Sequence, residues 1–275
     1  MIKRNILLTL SIATLVSLTG CSTSPTGRNQ LMLVSPSQAI NASAAAYTEM
    51  LTPLKKEGKI DSDAAVVKRV KVIAGRIVYQ AIERYPHTRN WDWSISVIDE
   101  PETVNAWCMA GGRMAVYTGL IEKLNPTDDE LAQVIGHEVS HALANHTAER
   151  MSVAMATQLG VMALGVATEN TDYQELALTG APLAAAVAIR LPNSRTGELE
   201  ADRLGMELAA RAGYDPAAAA TLWQKMGQNS QKNPPEFLST HPAPGNRQQI
   251  LANLAPQMEP LYKPGSELPI YNFRN

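Results

Sequence analysis

Hydrophobic residues recur with helical spacing along most of the chain. A clear apolar stripe follows Asp63, which is placed to cap the first turn, and ends before Pro86. Ser35 and Pro36 begin an earlier helix, because serine is a common N-cap and proline is accepted at the first helical position. This earlier helix is expected to end near Lys56. Further helices are predicted over residues 118–124, 195–212, 216–228 and 244–254.

One region shows an alternating pattern instead. Residues 91–98, 104–109 and 113–117 form short segments typical of strands, and Gly111 and Gly112 offer a tight turn between the last two. These segments predict a small antiparallel sheet packed on the helices. The expected fold class is therefore α+β, mainly helical with a small antiparallel sheet.

The first 20 residues have the pattern of a secretory signal. Lys3 and Arg4 precede an apolar stretch from Ile6 to Leu18, which is shorter than the roughly 20 residues that span a bilayer. The ending Leu-Thr-Gly-Cys resembles a bacterial lipoprotein signal. This resemblance implies that Cys21 carries lipid, including palmitate, and becomes the first residue of the mature chain. An ordinary signal with an incidental cysteine is the alternative.

The residues after this cysteine bear on location and domain organisation. By resemblance to lipoprotein sorting rules, Ser22 in place of Asp implies the outer membrane, facing the periplasm of a Gram-negative cell. Residues 21–34 begin with a polar, turn-rich stretch and are expected to be a lipid-anchored tether. Residues 35–254 are expected to form the main folded domain, and residues 255–275 an irregular tail.

Composition excludes some classes of function. The 275 residues have a net charge of −2 and are 45% hydrophobic, which suffices for a core and gives no basic footprint for nucleic acid. The sequence contains no phosphate-binding loop motif. The most apolar part, residues 151–191, is predicted to be a buried or membrane-facing helical hairpin, with a transmembrane pair as the alternative. Cys108 is expected to be a small buried residue without a disulfide partner.

The candidate chemistry begins in one predicted helix. Thr127 and Glu130 have capping-box spacing, and the helix that they begin contains the sequence His137-Glu138-Val-Ser-His141. On a helix, the two histidines lie one turn apart on the same face, so both imidazoles can bind one zinc ion. Glu138 would then lie beside the metal and could take a proton from its water. A core helix with chance histidines is the alternative for this pentapeptide alone.

A catalytic zinc site needs a third protein ligand. The candidates are His146, Glu149 and Glu198. A His-x-x-Gly-x-x-His continuation would supply a nearby ligand, but Ala144 and Thr147 replace its glycine and its last histidine. Glu149 is expected to be a solvated charge.

Glu198 is the preferred third ligand, because Asp202 follows it by one helical turn. Glu198 can bind zinc, while Asp202 can accept the free N–H of a ligating histidine and fix its tautomer. Glu200 points roughly the opposite way and is expected at the surface. A polar helix face without a metal is the alternative for this pair of acidic residues alone.

Together these motifs resemble the gluzincin family of the CAAX prenyl protease and the HtpX protease. Further matching segments lie along most of the mature chain. They are Pro25-Thr-Gly-Arg-Asn-Gln-Leu31, Asn105-Ala-Trp107, Gly111-Gly-Arg-Met-Ala-Val-Tyr-Thr-Gly119, Glu198-Leu-Glu-Ala-Asp-Arg-Leu-Gly205, Ala212-Gly-Tyr-Asp-Pro216, and Leu238-Ser-Thr-His-Pro242 with Arg247. The bacterial periplasmic lipoprotein branch, of the LoiP (YggG) type, is the nearest fit. Ala110 departs from the pattern, since relatives usually have proline before the paired glycines.

The resemblance implies that residues 35–254 form a zincin-type zinc metallopeptidase domain, whose small sheet lies beside the histidine-bearing helix. It implies one Zn²⁺ per chain, bound by His137, His141 and Glu198, in an endopeptidase with Glu138 as general base. His241 is expected near the metal. It would either stabilise the oxyanion or coordinate zinc and gate access, and a plain capping histidine is the alternative.

The resemblance also suggests how substrates bind and which partners the chain has. The strand Arg113-Met114-Ala115-Val116-Tyr117 is expected to pair with an extended peptide, as an edge strand can, and plain sheet structure is the alternative. Expected substrates are polypeptides of the cell envelope, misfolded or outer-membrane proteins among them. Lipidated Cys21 would contact the membrane, and other envelope proteases or outer-membrane assembly factors could be partners. A second class of function is an envelope chaperone or assembly factor with a largely structural or gated zinc site.

Overall fold

The computed structural model describes residues 21–168, 194–229, 236–242, 245–265 and 267–273. The strands are β1 (Cys21–Thr23), β2 (Asn29–Leu31), β3 (Ser94–Ile98), β4 (Ala106–Met109) and β5 (Arg113–Tyr117). The helices are α1 (Pro36–Lys56), α2 (Ala64–Arg84), α3 (Thr118–Leu124), α4 (Asp128–Leu143), α5 (His146–Thr168), α6 (Arg195–Arg211), α7 (Ala218–Asn229), α8 (Glu236–Thr240) and α9 (Arg247–Met258). Short 3₁₀ turns cover Pro86–Asn90 and Glu259–Leu261. The mainly helical α+β fold class is confirmed.

The chain divides into two compact units, and the described part of the first consists of residues 21–39 and 147–168. Here β1 and β2 form an antiparallel hairpin, with Cys21 opposite Leu31. The Arg28 guanidinium donates two hydrogen bonds of 2.7 Å to the Glu149 carboxylate. The predicted tether thus begins as an ordered hairpin, and Glu149 is a partly buried ion-pair partner instead of a solvated charge. The two parallel hydrogen bonds between Arg28 and Glu149 explain both the order of the hairpin and the partial burial of the carboxylate.

The second half of the predicted apolar hairpin, residues 169–191, lies outside the described residues. Its first half forms α5, on which Val153, Met155, Leu159 and Met162 are exposed large hydrophobic residues. None of the helices in the described ranges has the length and apolar character needed to cross a bilayer.

The sheet of the second unit differs from the predicted antiparallel one. Its strand order is β3-β5-β4, with β4 antiparallel and β3 parallel to β5. Gly111 and Gly112, at φ of +88° and +86°, turn β4 back onto β5. The parallel pairing is possible because the chain between β3 and β5, which includes β4, is long enough for a crossover.

This strand order corrects the expectation for Arg113–Tyr117. Both edges of β5 are paired, because Ser94–Ile98 lies on one side and Ala106–Met109 on the other. β5 is therefore the central strand and has no free backbone edge for an extended peptide. The edges of this sheet belong to β3 and β4.

The helices around the sheet form the core of the second unit. Asp63 caps α2 by accepting the backbone N–H groups of Ala65 and Val66. In the apolar stripe of α2, the side chains of Val70, Ile73 and Ile77 are fully buried. This helix packs on α4, whose inner side is equally apolar, so burial of both stripes stabilises the helix that carries the candidate histidines.

The C-terminal segment is more regular than predicted. Helix α9 continues to Met258, so the expected irregular tail begins within it. Further along, Tyr271 donates its backbone N–H to the carbonyl of Gly75 on α2 at 2.9 Å. Tyr271 and Phe273 pack against the core and make an edge-to-face aromatic pair, so this part of the tail is anchored.

Candidate metal centre

Helix α4 holds the first two candidate ligands in a fixed geometry. The capping box at its start is complete, because the Thr127 side chain accepts the Glu130 N–H and the Glu130 carboxylate accepts the Thr127 N–H. One turn apart and buried, His137 and His141 turn their rings toward each other, with 3.0 Å between their Nε2 atoms. The two nitrogens therefore point into one small space.

Helix α6 brings a carboxylate into the same space. The two helices touch at Gly136 and Gly205, where a Cβ on Gly205 would lie 2.6 Å from the backbone nitrogen of His137. This close approach places Glu198, fully buried, with Oε2 3.3 Å from His137 Nε2 and Oε1 3.5 Å from the Nε2 of His141. This glycine contact therefore brings Glu198 next to the two histidines, although tens of residues separate them in the sequence.

His241 follows helix α8 and adds a fourth donor. Its Nδ1 lies 3.1 Å from Glu198 Oε1 and 3.3 Å from His137 Nε2, and its Nε2 lies 3.4 Å from Glu138 Oε1. One ligand atom each from His137, His141, Glu198 and His241 lies within 4.8 Å of the others, so the group could hold one metal ion. Imidazole and carboxylate donors in this number suit zinc, in agreement with the predicted cofactor.

Burial and charge perturb the ionisation of the cluster. Burial lowers the pKa of His137, but hydrogen bonds to Asp202 and Glu198 outweigh it and raise the pKa to about 9. Burial raises the pKa of Glu198, but hydrogen bonds from His137 and His241 outweigh it and bring the pKa below its usual range. Burial also raises the pKa of Glu138 and holds that of His141 well below its usual value. Such shifts are typical of functional sites.

Asp202 and Arg247 contact the Nδ1 side of the His137 ring, which faces away from the donor cluster. His137 Nδ1 lies 3.0 Å from Asp202 Oδ1, the contact expected for a carboxylate that fixes a ligand tautomer. The buried Arg247 donates to Asp202 Oδ2 at 2.8 Å and to Glu198 Oε2 at 3.0 Å. In the sequence, Arg247 was noted only as part of a segment that matches the family. Its spacing from the acidic residues does not predict that it binds them.

The expected surface position of Glu200 is wrong, and its neighbour is a histidine. Glu200 is buried instead of lying at the surface, and its Oε2 is 3.1 Å from His146 Nε2. His146 is buried as well, and its Nδ1 lies 2.7 Å from the Nδ1 of His141, on the opposite side of that ring from the donor cluster. Helix α6 is covered by neighbours on both sides, so the face opposite Glu198 is interior too.

The geometry agrees with comparisons to known proteins. Residues 67–255 match the family model described as Peptidase family M48. The chain is 33% identical over 240 residues to the mitochondrial metalloendopeptidase OMA1 of Bos taurus, which covers 84% of this chain and 45% of the relative.

Two further relatives match a shorter part of the chain. The mitochondrial metalloendopeptidase OMA1 of Arabidopsis thaliana is 37% identical over 166 residues, covering 60% of this chain and 32% of the relative. The beta-barrel assembly-enhancing protease of Yersinia pestis is 32% identical over 165 residues, covering 58% and 34%. The chain spans less than half the length of each of these relatives. Because the family match covers more than half of its residues and includes every donor of the candidate metal centre, the chain belongs to peptidase family M48.

Proposed function

We propose that the chain is a zinc-dependent endopeptidase. The observation that carries this proposal is the position of Glu138. Its carboxylate is buried beside the four-donor cluster. Its Oε1 accepts no hydrogen bond among the described residues, and the nearby His241 Nε2, at 3.4 Å, is an ion-pair contact without hydrogen-bond geometry. A buried carboxylate oxygen without a donor is costly, so it is best explained by a role toward a water or substrate at the metal.

The residues of the cluster then have distinct tasks. His137, His141 and Glu198 would hold the zinc ion. Bound zinc polarises a carbonyl and lowers the pKa of water toward about 7. Glu138 takes a proton from the attacking water and passes it to the leaving amine. His241, whose Nε2 lies 3.4 Å from Glu138 Oε1, would donate its Nε2–H to the oxyanion.

We reassign the predicted peptide-binding strand from β5 to β4. Tyr117 donates its backbone N–H to the carbonyl of Asn105, so residues 105, 107 and 109 face β5 and the backbone of Cys108 faces the other edge of β4. The negative charge of Glu138 contributes to the raised pKa of the buried Cys108, after burial itself. We therefore assign the pairing of an extended peptide to this edge of β4.

The proposal is tested by comparing zinc-loaded wild type with Glu138→Gln in cleavage of an unfolded polypeptide such as casein. The variant should retain zinc and lose cleavage by about 100-fold or more, as expected for removal of a general base. Glu83→Gln, at a side chain 53% exposed, is the matched control and should cleave like wild type. Equal cleavage by Glu138→Gln and wild type would refute the mechanism.

A gated or structural zinc site in an envelope chaperone or assembly factor is the second candidate. Its support is the presence of His241 within the donor cluster, where it could fill the fourth coordination position. His241→Ala separates the two roles. Loss of a gating ligand should raise cleavage, whereas loss of an oxyanion donor should lower it by about 100-fold or more.

We further propose that the chain acts in the cell envelope on misfolded or outer-membrane proteins. The lipoprotein-type ending at Cys21 supports an outer-membrane anchor facing the periplasm and a place in the LoiP-type branch of the family. The relative named a beta-barrel assembly-enhancing protease supports an envelope setting, with other envelope proteases or assembly factors as partners. The mitochondrial relatives do not support this location. Mapping of cleavage sites in envelope fractions, with Glu138→Gln as the inactive reference, tests it.

A further inference from the structure

A buried histidine outside the donor cluster contacts the second candidate ligand. His146 begins α5 with its ring 3% exposed, and its Nδ1 is 2.7 Å from the Nδ1 of His141. Its other nitrogen, Nε2, is 3.1 Å from the buried Glu200 carboxylate. We propose that His146 and Glu200 are positioning residues that fix the tautomer and ring orientation of His141 for zinc binding. This inference rests on the proposed zinc site.

The proton positions follow from the hydrogen-bonding capacity of imidazole. His141 directs its Nε2 at the donor cluster, and a neutral ligand that binds by this atom carries its proton on Nδ1. That Nδ1–H needs an acceptor, which the unprotonated Nδ1 of His146 provides. Neutral His146 then carries its proton on Nε2 and donates it to Glu200, which as a carboxylate can only accept.

The local backbone is built to bring these rings together. Asn145 has a φ of +55°, a conformation that asparagine tolerates, and it lies in the turn between His141 and His146. Gly197 on α6 lies against the ring, since a Cβ there would be in van der Waals contact with His146 Cε1 at 3.4 Å. Glu200, on the next turn of α6, reaches His146 from the same helix that supplies Glu198.

The same geometry excludes His146 as a zinc ligand. Its Nδ1 faces the Nδ1 of His141, and the atom of His141 that faces the cluster is Nε2 on the other side of the ring. The arrangement parallels the contact of His137 with Asp202, so each ligating histidine has its own acceptor. Partners of this kind typically contribute about 10- to 100-fold in metal affinity.

The test is the zinc affinity of the full chain, measured by competition with a chromophoric chelator. His146→Phe keeps a ring but lacks an acceptor, and it should bind zinc about 10- to 100-fold more weakly than wild type. His146→Asn places an amide oxygen near the position of Nδ1 and should recover most of the affinity. His87→Phe, at an exposed histidine, is the matched control and should bind like wild type. Unchanged affinity in His146→Phe, or equal losses in both His146 variants, would overturn the inference.

A second measurement needs no variant and covers the case in which His146→Phe does not fold. In wild type labelled with ¹⁵N-histidine, the inferred N–H···N bond should give a through-hydrogen-bond coupling between the Nδ1 atoms of His141 and His146. Protonation of His141 at Nε2 instead, without this coupling, would contradict the inference. Neither the zinc affinity nor the coupling depends on cleavage. A chain that binds zinc but does not cleave would therefore refute the proposed function without contradicting this inference.

Discussion

The buried guanidinium of Arg247 shows how one side chain can hold several acidic groups in place. It is 2% exposed, donates to Asp202 and Glu198, and stacks on the Trp223 ring with its central carbon 3.9 Å from the centroid. A planar group with five donors suits this task better than a lysine ammonium. The positive charge of Arg247 offsets the repulsion between these two carboxylates beside His137.

Arg247→Met should destabilise the chain strongly, because it leaves two buried carboxylates without their cationic partner. Breaking a buried ion pair typically costs about 3–5 kcal/mol, which should appear as a lower unfolding free energy in urea. Arg89→Met, at a side chain 67% exposed, should change that free energy by less than about 0.5 kcal/mol. Similar unfolding curves for the two variants would show that the buried network contributes little.

The sequence alone predicted some of the residues of the metal centre. The spacing of His137, His141, Glu198 and Asp202 follows helical geometry, so local reasoning could place them. Glu200 could not be placed in the same way, because whether the far face of a helix meets solvent or another element is decided by tertiary packing. The partners of Arg247 were equally invisible, since 45 residues separate it from Asp202 in sequence.

At the scale of elements, the contact between α4 and α6 determines whether the ligands meet. A Cβ on Gly205 would lie within 2.8 Å of backbone atoms of Gly136 and His137, and a Cβ on Gly136 would lie 2.7 Å from the Gly205 carbonyl oxygen. Because a Cβ at either glycine would meet backbone atoms, no flexible side chain can move aside to make room for it. The two helices must therefore move apart if either glycine gains a side chain.

Gly205→Ala should weaken both stability and zinc affinity, because separating the helices moves Glu198 away from the histidines. Overpacking of this kind costs about 1–3 kcal/mol or more, to be measured by urea unfolding together with zinc competition. Gly227→Ala is the control, since a Cβ there meets nothing within 4 Å and the helical propensity of alanine should stabilise by about 0.5–1 kcal/mol. A Gly205→Ala protein with wild-type zinc affinity would contradict the role of the glycine contact.

The start of α4 gives a pH-dependent prediction. Burial raises the pKa of Glu130, but hydrogen bonds from Lys225, the Thr127 backbone and Thr221 outweigh it and lower the pKa from its ordinary value of 4.5. A lowered pKa in the folded state means that this stabilisation is fully present above about pH 4.5 and is lost as the pH falls further. The difference in unfolding free energy between wild type and Glu130→Gln should therefore be largest near pH 7 and shrink below pH 4.5. A difference that does not vary with pH would show that the carboxylate charge is not involved.

Helix boundaries were largely predictable, whereas the strand order was not. Caps such as Asp63 and Thr127 act through neighbouring residues and can be recognised in sequence. The position of β5 between β3 and β4 depends on a parallel pairing between strands that are not consecutive. No local pattern distinguishes that order from a simple antiparallel meander, so the edge position predicted for Arg113–Tyr117 was wrong.

At the scale of the whole molecule, the N-terminal segment links proposed location to structure. β1 begins at Cys21, the residue expected to carry lipid, and its hairpin is fastened through Arg28 to Glu149. The backbone N–H of Val34 also donates to Ser152 at 2.9 Å. A lipid on Cys21 would therefore be joined to an ordered part of the first unit, which a purely flexible tether would not provide.

Cys21→Ser should abolish incorporation of labelled palmitate and release the chain from the outer-membrane fraction of a Gram-negative host, because the serine cannot receive the lipid thioether. Cys108→Ser, at the buried thiol, is the matched control and should remain in the membrane fraction. Labelling and fractionation of both variants decide the matter. A Cys21→Ser chain that still fractionates with the outer membrane would remove the support for a lipid anchor.

The zinc content of the purified full chain is the most direct test of the proposed peptidase, since the roles of Glu138 and His241 depend on one zinc ion bound by His137, His141 and Glu198. After dialysis against a moderate chelator, elemental analysis should find about one zinc ion per chain in wild type and in a Glu149→Gln control. Glu198→Ala should retain almost none, because it removes the ligand from α6. If Glu198→Ala kept one zinc ion per chain with wild-type affinity, the proposed metal centre would be wrong.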